Sequence, residues 1–247
     1  MLDAKFSDSI LNLLFPLSCV LCNIQVRERR WGPVCPTCWS KMTFLCPPFC
    51  PQCGMPENPA FDIAGLCSSC RLQEFAFDFA RSALIFNDPL REVIHHFKYS
   101  DRVSLAHPLG AVLGECIERE SFQGRVIIPV PLHRQRERQR GFNQAELIAC
   151  ALNSWCGRNR SIETGILRRR KNTPSQTGLS RSQRALNLAG AFEVRRPAPE
   201  CVIVLDDVYT TGSTLHEIAK VLKRAGTKRV EVLTVARVSL SDRAEPT

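Results

Sequence analysis

Asp206 and Asp207 stand between an apolar run, Val202 to Leu205, and a hydroxyl-rich stretch, Thr210-Thr211-Gly212-Ser213-Thr214. Apolar residues at helical spacing follow, Leu215, Ile218, Ala219 and Leu222, and Gly226 is placed to end that helix in a left-handed cap. A strand that enters a hydroxyl-rich turn and opens a helix can hold a phosphate. The first-turn amides have no intrahelical acceptor, the helix dipole favours an anion, and Thr and Ser add donors. Gly212 lets the backbone come close to the ligand. Two carboxylates repel a phosphate, so they suit vicinal hydroxyls or a metal ion carried by a polyphosphate. A phosphate beside a diol is a ribose 5-phosphate. The reading requires both aspartates to stand open at the mouth of a sheet and the turn to face a cavity. The plainer alternative, a strand-turn-helix with an Asp-capped start, leaves the coincidence of the three features unexplained.

Eight of the thirteen cysteines form four CxxC pairs: Cys19/Cys22, Cys35/Cys38, Cys50/Cys53 and Cys67/Cys70. Each pair puts two thiolates on one side of a tight knuckle, and two knuckles complete a tetrahedral all-sulfur shell for zinc. We expect two structural Zn2+ sites, the first knuckle pairing with the second and the third with the fourth, although the spacing leaves an interleaved pairing open. Such sites leave no position for water, so they are not catalytic. Cys46 reads as a spare thiol, with replacement of Cys50 as a ligand the alternative, and Trp39 as a cover for the metal site, with a nucleic-acid contact the alternative. Cys116, Cys150, Cys156 and Cys201 read as core.

A third pattern is basic. In IIPVPLHRQRERQRGFNQAE a strand ends near Val130-Pro131, with Arg134, Arg136, Arg138 and Arg140 in the loop that follows. Alternate arginines cannot all reach one ligand, so some must face solvent, a partner or nucleic acid. Arg136, Arg138 and Arg140, with the amides of Asn143 and Gln144 at the next helix start, are the candidates for nucleic acid. Between Lys171 and Arg184 small, polar and basic residues dominate, including Gln176, Thr177, Gly178 and Arg181. Such a loop is suited to fold over a bound anion, or to remain a solvated basic loop.

The elements that must position these groups alternate. Strands are expected at 81–86, 125–130, 166–167, 191–194, 202–205 and 230–235, with helices at 89–99 (N-capped by Asp88), 105–117, 141–152 and from Ser213 onward. The stretch between that third helix and Thr164 reads as variable and exposed. This order predicts a mostly parallel α/β sheet. The expected organisation is an amphipathic N-terminal helix (1–18, with Phe6, Ile10, Leu13 and Leu14 on one face), a double CxxC module (19–72), an α/β domain (79–240) and a tail (241–247).

The formal net charge is +9 over 247 residues, and Arg125 to Arg184 carries thirteen Lys and Arg against three acidic residues. A polyanionic ligand or partner is therefore expected near that segment. No apolar run approaches the ~20 residues needed to cross a bilayer, and the N-terminus has no secretory core. A reducing cytoplasmic setting fits CxxC pairs that bind metal. The histidines form no triad, and only His133 lies where a ligand could touch it.

The stretch VIVLDDVYTTGST resembles the phosphoribosyl pyrophosphate (PRPP) motif of type I phosphoribosyltransferases. Together with PVPLHRQRERQRGFNQ, QTGLSRSQR and the CxxC pairs, it makes nearly the whole chain similar to the ComF family. The resemblance implies a type I phosphoribosyltransferase fold preceded by a zinc-ribbon-like module. It implies Mg2+-PRPP held by Asp206, Asp207, Val208 and Thr210 to Thr214, with Asp206 and Asp207 as the catalytic pair. Val130, Pro131 and Arg134 would take the pyrophosphate. Gln176, Thr177, Gly178, Arg181 and Arg184 would lie in the loop that closes over PRPP. It further implies a role in competence and single-stranded DNA handling beside a helicase.

Overall fold

The computed structural model describes residues 17–26, 32–56, 61–62, 65–100, 102–172 and 187–239. The expected N-terminal helix and C-terminal tail fall almost wholly outside them. Two short strands, β1 (Leu17–Ser18) and β2 (Gln25–Val26), pair antiparallel around the first knuckle, with Leu17 opposite Val26. The short helices α1 (Pro36–Trp39) and α2 (Ser68–Leu72) each begin directly after the first cysteine of a knuckle. Cys35 and Cys67 are extended while the next residues turn, so Cys38 and Cys70 donate back to their carbonyls at 3.0 Å each. That turn brings the two sulfurs of a CxxC pair to one side.

The α/β part follows as β3 (Phe79–Ile85), α3 (Asp88–Tyr99), a 3-10 turn (Val103–Leu105), α4 (Ala106–Arg119), β4 (Val126–Pro129), α5 (Arg134–Arg140) and α6 (Gln144–Trp155). Then come β5 (Ser161–Ile162), β6 (Leu167–Arg169), β7 (Phe192–Val194), β8 (Cys201–Tyr209), α7 (Ser213–Arg224) and β9 (Arg229–Arg237). The sheet order is β3-β9-β8-β4-β5, every neighbour parallel, and β6 and β7 form a separate antiparallel pair. This is the expected α/β architecture.

Alternation along β8 divides the core. Ile203 and Leu205 pack in one apolar cluster with α3, α4 and α6, while Val202 and Val204 pack in another with α7. The cysteines divide in the same way. Cys19, Cys35 and Cys38 share the first cluster, and Cys50, Cys53, Cys67 and Cys70 the second. The chain between them runs along the outer edge of β3, where Ile85 donates to Thr43 O (2.8 Å), Leu45 to Ala83 O (2.9 Å) and Ala80 to Gln52 O (2.7 Å). An edge strand that would otherwise offer unpaired amides is thereby covered, and one cysteine group sits on each face of the sheet.

The elements differ from expectation in five places. Asn87, not Asp88, caps α3, its side chain accepting the Leu90 N–H. The arginine run forms α5, capped by His133 and ended by Gly141 at φ 83°. Arg, Gln and Glu favour helix, but α5 buries none of its residues, so no apolar stripe betrays it. The piece expected to be exposed before Thr164 contains β5, an edge strand of the main sheet. Strand β8 continues through the acidic pair to Tyr209. Cys150 is exposed and not core, whereas Cys116 is buried.

Candidate sugar-phosphate and metal sites

Because Asp206 and Asp207 are consecutive in β8, their side chains leave opposite faces of the strand. Asp207 points to the α3 side, where Lys98 Nζ lies 2.6 Å from its Oδ2, and its side chain is 7% exposed. Asp206 is only partly buried and its Oδ1 accepts the Asp207 N–H at 2.9 Å. Burial, followed by the Asp207 charge, pushes its carboxyl up to about 7, against the pull of Lys98 and Arg169. The expectation that both acids stand open therefore fails for Asp207, whose surroundings close on it.

The hydroxyl stretch lies at the C-terminal end of β8, between that strand and α7. Gly212 adopts φ +78°, and a Cβ there would come 2.3 Å from Tyr209 Oη, so both conformation and space demand glycine. Thr211 Oγ1 and Ser213 Oγ are 2.8 Å apart, and Ser213 N–H points to Thr211 Oγ1 at 3.4 Å. Thr210, Thr211 and Thr214 are partly exposed and Ser213 is buried. The turn opens a twelve-residue helix whose first amides are available to a ligand.

Val130 donates to Leu205 O at 2.8 Å, and Asn143 Nδ2 donates to Val130 O at 3.1 Å, which fixes the 129–134 segment beside β8. Val130 is buried, Pro131 and Arg134 line a cavity of about 360 Å³, and Arg168, Arg169, Arg195 and Arg196 line it too. Arg169 is buried, and its surroundings set the Arg136 charge against that of Asp206. Arg134 and Arg138 are exposed and Arg136 partly so. Arg140 instead donates to Gln144 Oε1 at 2.5 Å and lies over the Tyr99 ring, while Asn143 caps α6. The residues Gln176, Thr177, Gly178, Arg181 and Arg184 lie outside the described residues, in the segment joining β6 to β7. His133 caps α5, and His216 Nδ1 accepts the Ala76 N–H at 3.0 Å, a packing role.

Lys98 and Arg169 were not singled out in the sequence. Lys98 in the last turn of a helix reads as a dipole partner, and Arg169 is hidden within Arg168-Arg169-Arg170. Only the tertiary fold brings them to the acidic pair, Lys98 to Asp207 at 2.6 Å and Arg169 within electrostatic reach of Asp206.

The cysteines assemble as expected into Cys19-Cys22-Cys35-Cys38 and Cys50-Cys53-Cys67-Cys70, with the sulfurs of each group within 4.8 Å of one another. Cys22 Sγ is 3.6 Å from Cys35 Sγ, and Cys53 Sγ is 3.5 Å from Cys67 Sγ. Tetrahedral zinc at ~2.3 Å from each sulfur needs a separation of about 3.8 Å, so both donor sets fit Zn2+. Backbone N–H groups already point at sulfur, Cys35 N to Cys19 Sγ at 3.3 Å and Cys67 N to Cys50 Sγ at 3.5 Å. Cys46 is exposed and belongs to neither group, and Trp39 is buried with the first. Among the described residues no helix is long and apolar enough to cross a membrane.

Residues 10–71 match the double zinc ribbon domain family. Over 231 residues the chain is 32% identical to the DNA utilization protein YhgH of Escherichia coli (strain K12), covering 91% of this chain and 99% of that one. It is 31% identical over 232 residues to competence protein F of Haemophilus influenzae, covering 90% and 98%. It is 27% identical over 229 residues to competence protein ComFC of Bacillus subtilis, covering 85% and 90%. A hypoxanthine phosphoribosyltransferase structure from Staphylococcus aureus overlaps 53% of this chain and 62% of its own at 13% identity, with a TM-score of 0.33, too low to carry weight. With relatives above 30% identity along nearly its whole length, and a double zinc ribbon ahead of a parallel α/β sheet, the chain belongs to the ComF family of competence and DNA utilization proteins.

Proposed function

We propose that this protein binds Mg2+-PRPP at the C-terminal end of β8 and serves DNA uptake or utilization. The observation that carries the reading is the Thr210–Thr214 turn. It opens α7 at the C-terminal edge of a parallel sheet, where open α/β sheets bind ligands, directly beyond the acidic pair. Donors from that turn take the 5-phosphate, and Asp206 takes a ribose hydroxyl. Asp207 joins only by exchanging Lys98 for ligand or metal. The Val130–Arg134 segment and the arginines around the adjoining cavity receive the pyrophosphate. Departure of pyrophosphate leaves positive charge on the sugar, which the acceptor then attacks, so positioning and leaving-group stabilisation are what the protein supplies, and no nucleophilic side chain is required.

A second reading, a non-catalytic single-stranded DNA adaptor for a competence helicase with a sensory or vestigial PRPP pocket, is favoured by α5. Seven residues, four of them arginine, form a helix that buries nothing, which suits a phosphate backbone more than a packed interior.

Titration calorimetry with Mg2+-PRPP tests the first reading. The wild type is expected to bind. Asp206→Asn combined with Asp207→Asn is expected to weaken binding by orders of magnitude while the zinc content stays at two. A wild type that takes up no PRPP overturns the pocket. Pyrophosphate release assayed with candidate acceptors separates the readings, since an adaptor releases none.

A further inference from the structure

Arg237 ends β9 with 1% of its surface exposed. Its guanidinium meets the second cysteine group: Nη1 donates to the Cys53 carbonyl oxygen, and Nη2 to Cys53 Sγ at 3.4 Å. Cζ lies 4.3 Å from the centroid of the Tyr209 ring, and Nε has no hydrogen-bond partner among the described residues. No ion pair among those residues includes Arg237. A buried guanidinium without a counter-charge is strongly unfavourable, and one aromatic face does not replace an anion. Four thiolates around one divalent cation carry a net double negative charge. The Cys53 sulfur is the part of that charge which Arg237 touches.

The other side of Tyr209 faces the ligand turn. Its hydroxyl occupies the space where a Gly212 side chain would begin, 2.3 Å from that Cβ position. Phe77 meets the Tyr209 ring edge-on at 6.3 Å and stacks on Phe75 at 4.8 Å, and Phe75 also borders Gly212 and the His216 ring. Phe75 follows α2, which carries Cys70. Two lines of contact thus run from the second cysteine group to the turn, one through Arg237 and Tyr209, the other through α2 and Phe75.

We propose that Arg237 supplies the counter-charge of the second four-cysteine site, and that this site, through Arg237 and Tyr209, holds the Thr210–Thr214 turn in shape. The zinc bound there then does more than staple the module, because its loss strands a buried cation directly beneath the ligand turn. The first site lies on the opposite face of the sheet and does not share these contacts. The inference rests on the zinc reading of the cysteines and not on the PRPP reading of the turn.

The test uses the full zinc-loaded chain and excess 4-(2-pyridylazo)resorcinol, with zinc release followed by absorbance. In Arg237→Met one of the two equivalents should leave about tenfold faster or more, the usual effect of losing an outer-shell partner, and the other should be unchanged. Arg237→Lys, which keeps the charge, should recover part of the difference. Hydrogen exchange of the 209–216 amides should rise in Arg237→Met and in Cys53→Ser, but not in Cys22→Ser. Unchanged release, equal acceleration of both equivalents, or equal exchange in the two cysteine variants overturns the proposal. If Arg237→Met does not fold, the Cys53→Ser and Cys22→Ser comparison decides alone. Neither readout contains PRPP, so failure of the PRPP reading shows separately.

Discussion

Lys98 Nζ lies 2.6 Å from Asp207 Oδ2 in surroundings that leave the carboxylate side chain 7% exposed. The end of α3 is thereby joined to the end of β8, across the mouth of the sheet. Removing one member of a buried pair strands the other, at a cost of about 3–5 kcal/mol. Lys98→Met should therefore destabilise the protein by that order in urea unfolding, and Lys98→Met with Asp207→Asn should recover most of it. Additive losses in the double-mutant cycle would show that the pair is not coupled.

Asp206 should titrate near neutrality. Its carboxyl is raised from 3.8 to about 7 in the folded chain, so between those values the folded state binds the proton that the unfolded state has lost. Stability from this group is complete below pH ~4 and declines as pH rises through ~7. Asp206→Asn keeps an Oδ1 acceptor for the Asp207 amide and removes the charge. It should gain on the order of 1–3 kcal/mol relative to wild type at pH 8 and nothing at pH 4. Parallel stability–pH curves for the two proteins would refute the shift.

Gly212→Ala meets two obstacles, φ +78° and a Cβ 2.3 Å from Tyr209 Oη. A left-handed non-glycine residue costs roughly 1–2 kcal/mol, and overpacking typically 1–3 kcal/mol more. Thermal unfolding should show a loss of about 2–5 kcal/mol. Tyr209→Phe, by removing the hydroxyl, should return part of it. An alanine variant as stable as wild type would mean the turn relaxes freely.

The α5 arginines should act through phosphates. Single-stranded DNA affinity should fall steeply with salt, with a slope of about −0.7 per phosphate contact. Replacing Arg134, Arg136 and Arg138 together by alanine should flatten that slope by roughly 2. Binding insensitive to salt, or unchanged in the triple variant, would exclude α5 as the interface.

Removing both metals should loosen more than the module, since Cys19, Cys35 and Cys38 pack with one face of the sheet and Cys50, Cys53, Cys67 and Cys70 with the other. Chelation is expected to lower the melting temperature of the whole chain in one transition. A separate early transition for the module, with the sheet unaffected, would contradict the shared cores.

Composition and spacing alone determined the four CxxC knuckles, the alternation of strands and helices, and the turn that opens α7, because each is a local rule: a knuckle spacing, a period, a glycine with positive φ. Which knuckle pairs with which was left to the fold. The 129–134 segment was legible as the end of a strand, for its prolines stop a ladder whatever lies around them. Helix α5 was not, since a helix that buries no residue writes no apolar period, and neither was β5, whose two residues become a strand only by pairing with Val126 and Ile127. The partners of the acidic pair were beyond any reading of the chain. Lys98 stands 109 positions before Asp207, Cys53 lies 184 from Arg237, and a salt bridge or a buried counter-charge between such residues exists only once the sheet has brought them together. Tertiary packing therefore decided how open each aspartate is, and placed a zinc site under the turn.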